Sequence, residues 1–210
     1  MAVLDDQDDE RELIMNAAYR CLLASEGVSV SITDILHAAG LSTRAFYRHF
    51  ASKDSLLLAL FRRDCERVTA ELTSSITAAA TAREALHRWI DGVLHLMSTQ
   101  PRRRRALILS SEETRRARGF AAERERFQTT QEEALAAILR RGVEDGSFPW
   151  ADPRADAEQI QAVLGRALDR QLLCPSADGT DGTDGTDETA DRVTDFVFRA
   201  LGASGGATAA

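Results

Sequence analysis

The chain has 210 residues, enough for one domain or two small ones, and 44% are hydrophobic, which excludes a chain too polar to bury a core. Its net charge of −7 argues against a nucleic-acid partner unless the basic residues are gathered locally. No apolar run nears the ~18 residues of a membrane span, no signal peptide opens the chain, and Cys21, Cys65 and Cys174 lack metal or CxxC spacing.

Ala, Leu, Arg and Glu dominate, and period-two alternation is scarce, so the chain is predicted to be all-α. Residues 1–9, with Asp5, Asp6, Asp8 and Asp9, read as a disordered acidic tail. Residues 10–26 predict the first helix, with Leu13, Ile14, Ala17, Ala18, Cys21 and Leu22 as its apolar stripe and Gly27 at its end.

The most informative stretch is residues 31–57. Ser31 caps a short helix, and Asp34 stands three residues on, at capping-box spacing. Ile32, Ile35, Leu36 and Ala39 recur at helical spacing, and Gly40 supplies the left-handed residue that ends the helix. Ser42 caps a second short helix through His49, and Ser52 caps a third that begins at Lys53. Two helices joined by a short Gly turn form a helix-turn-helix. Phe46 and Phe50 anchor the second helix inward, leaving Thr43, Arg44, Tyr47, Arg48 and His49 as a polar, mostly basic face. No acid lies between Ser42 and Lys53, as a surface that approaches phosphates requires. The bland alternative is a helical hairpin with a solvated basic face.

Helices are predicted over residues 53–80 and 83–99, the latter with Leu86, Trp89, Ile90, Val93, Leu94 and Met97 inward. Pro101 opens the next and is followed by Arg102–Arg105, which read either as a site for a phosphate-bearing ligand or as a solvated face paired with Glu112 and Glu113. Residues 114–145 predict one long helix closed near Gly142 and Gly146, and 146–153 a turn in which Asp152 caps the helix begun by Pro153. The threefold Asp-Gly-Thr repeat within residues 178–188 fits no calcium loop and reads as a flexible linker. Residues 189–201 predict the last helix, and 203–210 a disordered tail.

Ile35, Ala39, Gly40, Leu41, Ser42, Phe46, Tyr47, Arg48, His49, Phe50, Ser52, Lys53 and Leu56 keep, without gaps, a pattern that resembles the signature of the TetR family of bacterial transcriptional regulators. The resemblance implies an N-terminal three-helix DNA-binding module over residues 10–52 and a helical ligand-sensing and dimerisation domain over 53–202. It implies a cytoplasmic homodimer, joined through its last two helices, that binds double-stranded operator DNA. Arg44, in the first turn of the reading helix, suits guanine, and Ala45 a thymine methyl. Tyr47, His49 and Lys53 match positions that hold phosphates, and Ser31, Ser42 and Thr43 stand at helix starts suited to phosphate oxygens. Arg48 is left between DNA and the protein body.

The resemblance further implies a small-molecule effector enclosed by the middle helices. Trp89, Val93, His95, Met97, Leu109, Phe120, Phe127, Trp150 and Val163 are its candidate lining. No cofactor is called for. His87 and His95 lack a third metal ligand, and no Glu-x-x-His pair, Ser-His-Asp set or Gly-rich phosphate loop suggests an enzyme. The alternative function is a helical ligand-binding or protein-interaction module that has lost DNA binding.

Overall fold

A computed structural model of the chain describes residues 2–25, 29–173 and 183–203, without the side chains of 2–8, 173, 183 and 184. In order, the helices are α1 (Ala2–Ala24), α2 (Ile32–Ala39), α3 (Thr43–His49), α4 (Lys53–Thr77), α5 (Ala82–Leu94), α6 (Gln100–Leu109), α7 (Glu112–Arg116), α8 (Phe120–Glu144), α9 (Pro153–Leu173) and α10 (Thr183–Ala200). A single 3-10 turn, His95–Met97, follows α5. No strand occurs among the described residues, and none of their helices is long and apolar enough to cross a membrane.

The chain divides into two compact units. The first comprises residues up to 65 together with 104–124; the second comprises 66–103 and the chain from 125 onward. The expected boundary at 52/53 is therefore too early. Leu56, Leu57 and Leu60 of α4 are buried in the same core as Ile14, Ile35, Phe46 and Phe50, and Leu109, Ala117 and Phe120 join that core from a later part of the chain. The second unit packs Leu72, Leu86, Trp89, Ile90, Leu94, Leu135, Leu139, Phe148, Leu164 and Leu201 into a core of its own.

Several expected boundaries are corrected. α1 begins at Ala2, so residues 2–9 are helical rather than a loose tail; an acidic sequence is favoured at the start of a helix, where the dipole is positive. α1 ends at Ala24, and Gly27 lies outside the described residues. The predicted helix over 114–145 is two helices, α7 and α8, parted at Gly119, whose φ is +99°. The backbone N–H of Arg118 donates there to Asp54 Oδ2 at 3.0 Å. Gly146, with φ +76°, follows the end of α8 as expected, whereas Gly142 lies inside it, where an added Cβ would stand 2.0 Å from the Phe148 ring. The last helix starts at Thr183 rather than 189, because Thr186 is buried and Thr189 Oγ1 donates to the Gly185 carbonyl at 2.8 Å. The remainder of the expected linker, 178–182, lies outside the described residues, as do Cys174 and 204–210.

Candidate nucleic-acid interface and effector groove

The helix-turn-helix is fixed by its caps. Ser31 Oγ accepts from the Asp34 N–H at 3.1 Å, while Asp34 Oδ2 accepts from the Ser31 N–H at 3.2 Å, closing the capping box. The Ser31 hydroxyl also donates to Asp34 Oδ2 at 2.6 Å, and that bond, then the one from the Ser31 N–H, holds the Asp34 carboxyl below its ordinary value. Gly40, at φ +67°, ends α2, and Ser42 Oγ accepts from the Ala45 N–H at 3.2 Å to start α3. Ser52 and Ser55 close a similar pair at the start of α4, each accepting the other's N–H. The turn angle of the motif is thus set by local hydrogen bonds.

α3 then presents two faces. Phe46 and Phe50 are buried, with ring centroids 5.7 Å apart. Ala45 is 4% exposed. Its methyl belongs to the module's interior, so the expected thymine contact is corrected: on a seven-residue helix the residue beside Phe46 turns inward with it. Thr43, Arg44 and Tyr47 are exposed, Tyr47 by 58%. Arg44 has no ion pair among the described residues.

Arg48, left between DNA and the protein body, and the expected phosphate ligands His49 and Lys53 are all engaged within the protein. Arg48 Nη1 donates to Glu10 Oε2 at 2.8 Å, and His49 Nε2 lies 3.0 Å from the same oxygen, so both turn toward α1. The hydrogen bond from His49, then the Arg48 charge, hold the Glu10 carboxyl below its ordinary value of 4.5. Lys53 pairs with Glu113 just inside α7 and donates to Ser29 Oγ at 3.0 Å. Sequence reasoning missed both acids. Glu10 stands 38 residues from Arg48 and Glu113 stands 60 from Lys53, so no local pattern links them.

The effector candidates do not gather around one cavity. Leu109 and Phe120 are buried in the first unit's core, Phe120 against Phe61 with centroids 4.9 Å apart. Trp89 and Val93 are buried in the second unit's core, with the Trp89 indole N–H unpartnered among the described residues, and Phe127 packs on that core half-buried. Met97 is half-buried. Trp150 is 74% exposed, displaced outward where its ring covers Gly202. His95 is bound to Asp187, its Nε2 3.1 Å from Oδ1, and its Nδ1 lies 2.9 Å from the Asp91 carbonyl.

Val163 alone of the nine lines the groove between α9 and α10, which has a volume of about 470 Å³. Its neighbours there, Arg166, Ala167, Arg170 and Gln171, follow Val163 at i+3, i+4, i+7 and i+8, a helical face readable in the sequence but not singled out. Nor do Arg102–Arg105 act as one cluster, since successive residues of a helix point about 100° apart. Arg102 lies 3.6 Å from Glu71 and Arg103 lines the groove. Arg105 donates to the Tyr19 hydroxyl at 2.8 Å and covers that ring.

Residues 14–60 match the sequence model described as bacterial regulatory proteins, tetR family. The HTH-type transcriptional regulator EthR of Mycolicibacterium smegmatis is 27% identical over 100 residues, which are 47% of this chain and 46% of that relative, so under half of its length is matched. FadR of Bacillus subtilis, solved in complex with stearoyl-CoA, superposes with a TM-score of 0.72 at 17% identity, over 90% of this chain and 98% of its own. AibR, solved with isovaleryl coenzyme A and operator DNA, superposes at 0.64 and 18% identity, over 90% and 98%. The two structures share the fold.

Proposed function

We propose, from the match of residues 14–60 to the tetR family of bacterial regulatory proteins and the likeness to EthR, that this chain is a cytoplasmic transcriptional regulator of that family. In this reading it is a homodimeric repressor that binds a palindromic operator and is released by a small, largely apolar effector. The observation that carries the reading is α3: a capped, acid-free helix whose inward residues are Ala45, Phe46 and Phe50 and whose outward residues include Thr43, Arg44 and Tyr47. Arg44 stands in the first turn, where a side chain reaches base edges, and Tyr47 offers its hydroxyl to a phosphate. The exposed caps Ser31 and Ser42 mark helix starts whose free N–H groups favour phosphate oxygens.

One such head reads only a few base pairs, so specific binding calls for two about one helical turn apart. The dimer contact proposed here is α9 and α10 against the partner's copies. α10 buries Ala190, Val197 and Phe198 in its own unit yet leaves Phe196 52% exposed, an apolar surface for a four-helix contact. Ligand binding then needs to shift the heads' equilibrium by only ~1–3 kcal/mol to change operator occupancy.

A second reading is a helical ligand-binding or protein-interaction module that has lost DNA binding. It is favoured by Glu10 and Glu113, which engage two residues expected at phosphates, His49 and Lys53, and turn Arg48 toward the protein body. Selection from a random duplex pool at two salt concentrations separates the two. A recovered palindrome with half-sites ~10 base pairs apart, bound more weakly at high salt, supports the regulator. No enrichment by folded, ligand-free protein supports the module.

A further inference from the structure

His95 ends α5 and opens the 3-10 turn that follows it, and both of its ring nitrogens face acceptors within the second unit. Nδ1 lies 2.9 Å from the Asp91 carbonyl and 3.1 Å from Asp91 Oδ1. Nε2 lies 3.1 Å from Oδ1 of Asp187, in the first turns of α10. A backbone carbonyl and an ionised carboxylate can only accept. A neutral imidazole carries one N–H, so it donates to Asp91 or to Asp187 and sets a lone pair against the other. The imidazolium donates to both. Asp91 from α5 and Asp187 from α10 are the charged groups that meet the ring, and α9, which also packs on the turn, forms no ion pair with it among the described residues. Asp187 is the aspartate that closes the threefold Asp-Gly-Thr repeat, and the neighbouring Thr186 is buried, so the pair sits where α10 enters its core.

We propose that His95 and Asp187 form a proton-operated clasp, which holds the first turns of α10 to the end of α5 when the ring is protonated and releases them when it is neutral. Imidazole is the side chain that ordinarily changes charge between about pH 5 and 8. The His95 side chain is 29% exposed and that of Asp187 61%, so protons reach the pair from solvent. Phe196 stands nine positions after Asp187, two and a half helical turns, and so points from the opposite side of α10. A second copy seated on Phe196 therefore leaves the clasp uncovered. The clasp itself does not rest on the regulator reading. Its consequence does: releasing the first turns of α10 loosens a helix of the proposed dimer contact and couples association to pH.

Amide hydrogen exchange on the full chain tests it. Rates for residues 187–191 are measured at pH 6 and pH 8, each divided by the rate of an unstructured peptide at the same pH. Protection should be about two- to fivefold higher at pH 6, the size of one partly exposed ion pair. Residues 135–139 of α8, buried or half-buried away from the pair, serve as the reference and should show no such difference. Asp187→Asn and His95→Gln should each abolish the difference at 187–191, and either variant suffices if the other fails to fold. Equal protection at the two pH values, or a difference that survives the substitutions, overturns the proposal. Sedimentation is run on the same samples. A chain that is monomeric at both pH values but keeps the exchange difference refutes the dimer and leaves the clasp standing.

Discussion

Arg44 and Lys53 are both cations of the N-terminal unit, and their surroundings give them different roles. Arg44 is exposed in the first turn of α3 with no ion pair among the described residues, so Arg44→Ala should relax base preference at one position of each half-site. The expected loss is ~1–3 kcal/mol of discrimination, read by titrating single-base variants of the selected operator. Lys53 is held by Glu113 and Ser29. A carboxylate on that amine competes with phosphate, so Glu113→Gln should tighten binding to all sequences alike and steepen the slope of log K against log salt by about one. An unchanged slope would show that Lys53 makes no phosphate contact. Glu10 gives the pH dependence. Its carboxyl is depressed below 4.5 by the hydrogen bond from His49 and then by Arg48, so it contributes stability above that value. That contribution fades as pH falls through the lowered value, and Glu10→Gln should flatten this part of a melting-temperature profile taken below about pH 5. Capping residues were legible in the sequence because their bonds span three positions. The inward turn of Ala45 was not, since the buried side of so short a helix is decided by the core it meets.

At the scale of the element, α3 has seven residues and cannot hold itself, because helices under about 12 residues are marginal in water. Its caps and the buried Phe46 and Phe50 hold it. Ser42→Ala removes the acceptor for the Ala45 N–H and should lower stability by about 1 kcal/mol, with DNA affinity falling in step. Two glycines make a sharper comparison. Gly40 has φ +67° and nothing within 4 Å of an added Cβ, so Gly40→Ala meets only backbone strain of about 1 kcal/mol. Gly142 is helical, but its added Cβ would lie 2.0 Å from the Phe148 ring, and overpacking of that kind costs about 1–3 kcal/mol. Thermal melting should therefore rank Gly142→Ala as the more damaging, and the opposite rank would mean that the ring moves aside freely. Gly40 was readable as a helix stop because it follows a complete apolar stripe. The break at Gly119 was not, because it depends on Asp54, 64 residues away from Arg118. Position in the sequence likewise predicted an inward Trp150, while packing against Gly202 left it exposed.

For the whole molecule, a net charge of −7 makes affinity for duplex DNA depend on doubling a small basic face rather than on general attraction. Two heads held at a fixed spacing convert the second contact into an intramolecular one, which multiplies affinity without any new residue. The proposed dimerisation is thus the property most exposed to a single substitution. Phe196 is the large apolar side chain that α10 turns outward, 52% exposed, while the neighbouring Val197 and Phe198 are buried. If Phe196 meets its counterpart across a twofold axis, Phe196→Glu places two carboxylates where two rings met, and both the lost burial and the like charges oppose association. Sedimentation should show a monomer at concentrations where the unaltered chain is a dimer, a change of ~2 kcal/mol or more. Operator affinity should fall with it, while melting of each folded unit should change little, because Phe196 is not part of the buried core. A variant that remains dimeric would move the interface away from this face of α10. A variant that becomes monomeric yet still reads the full palindrome with undiminished affinity would remove the need for a dimer altogether.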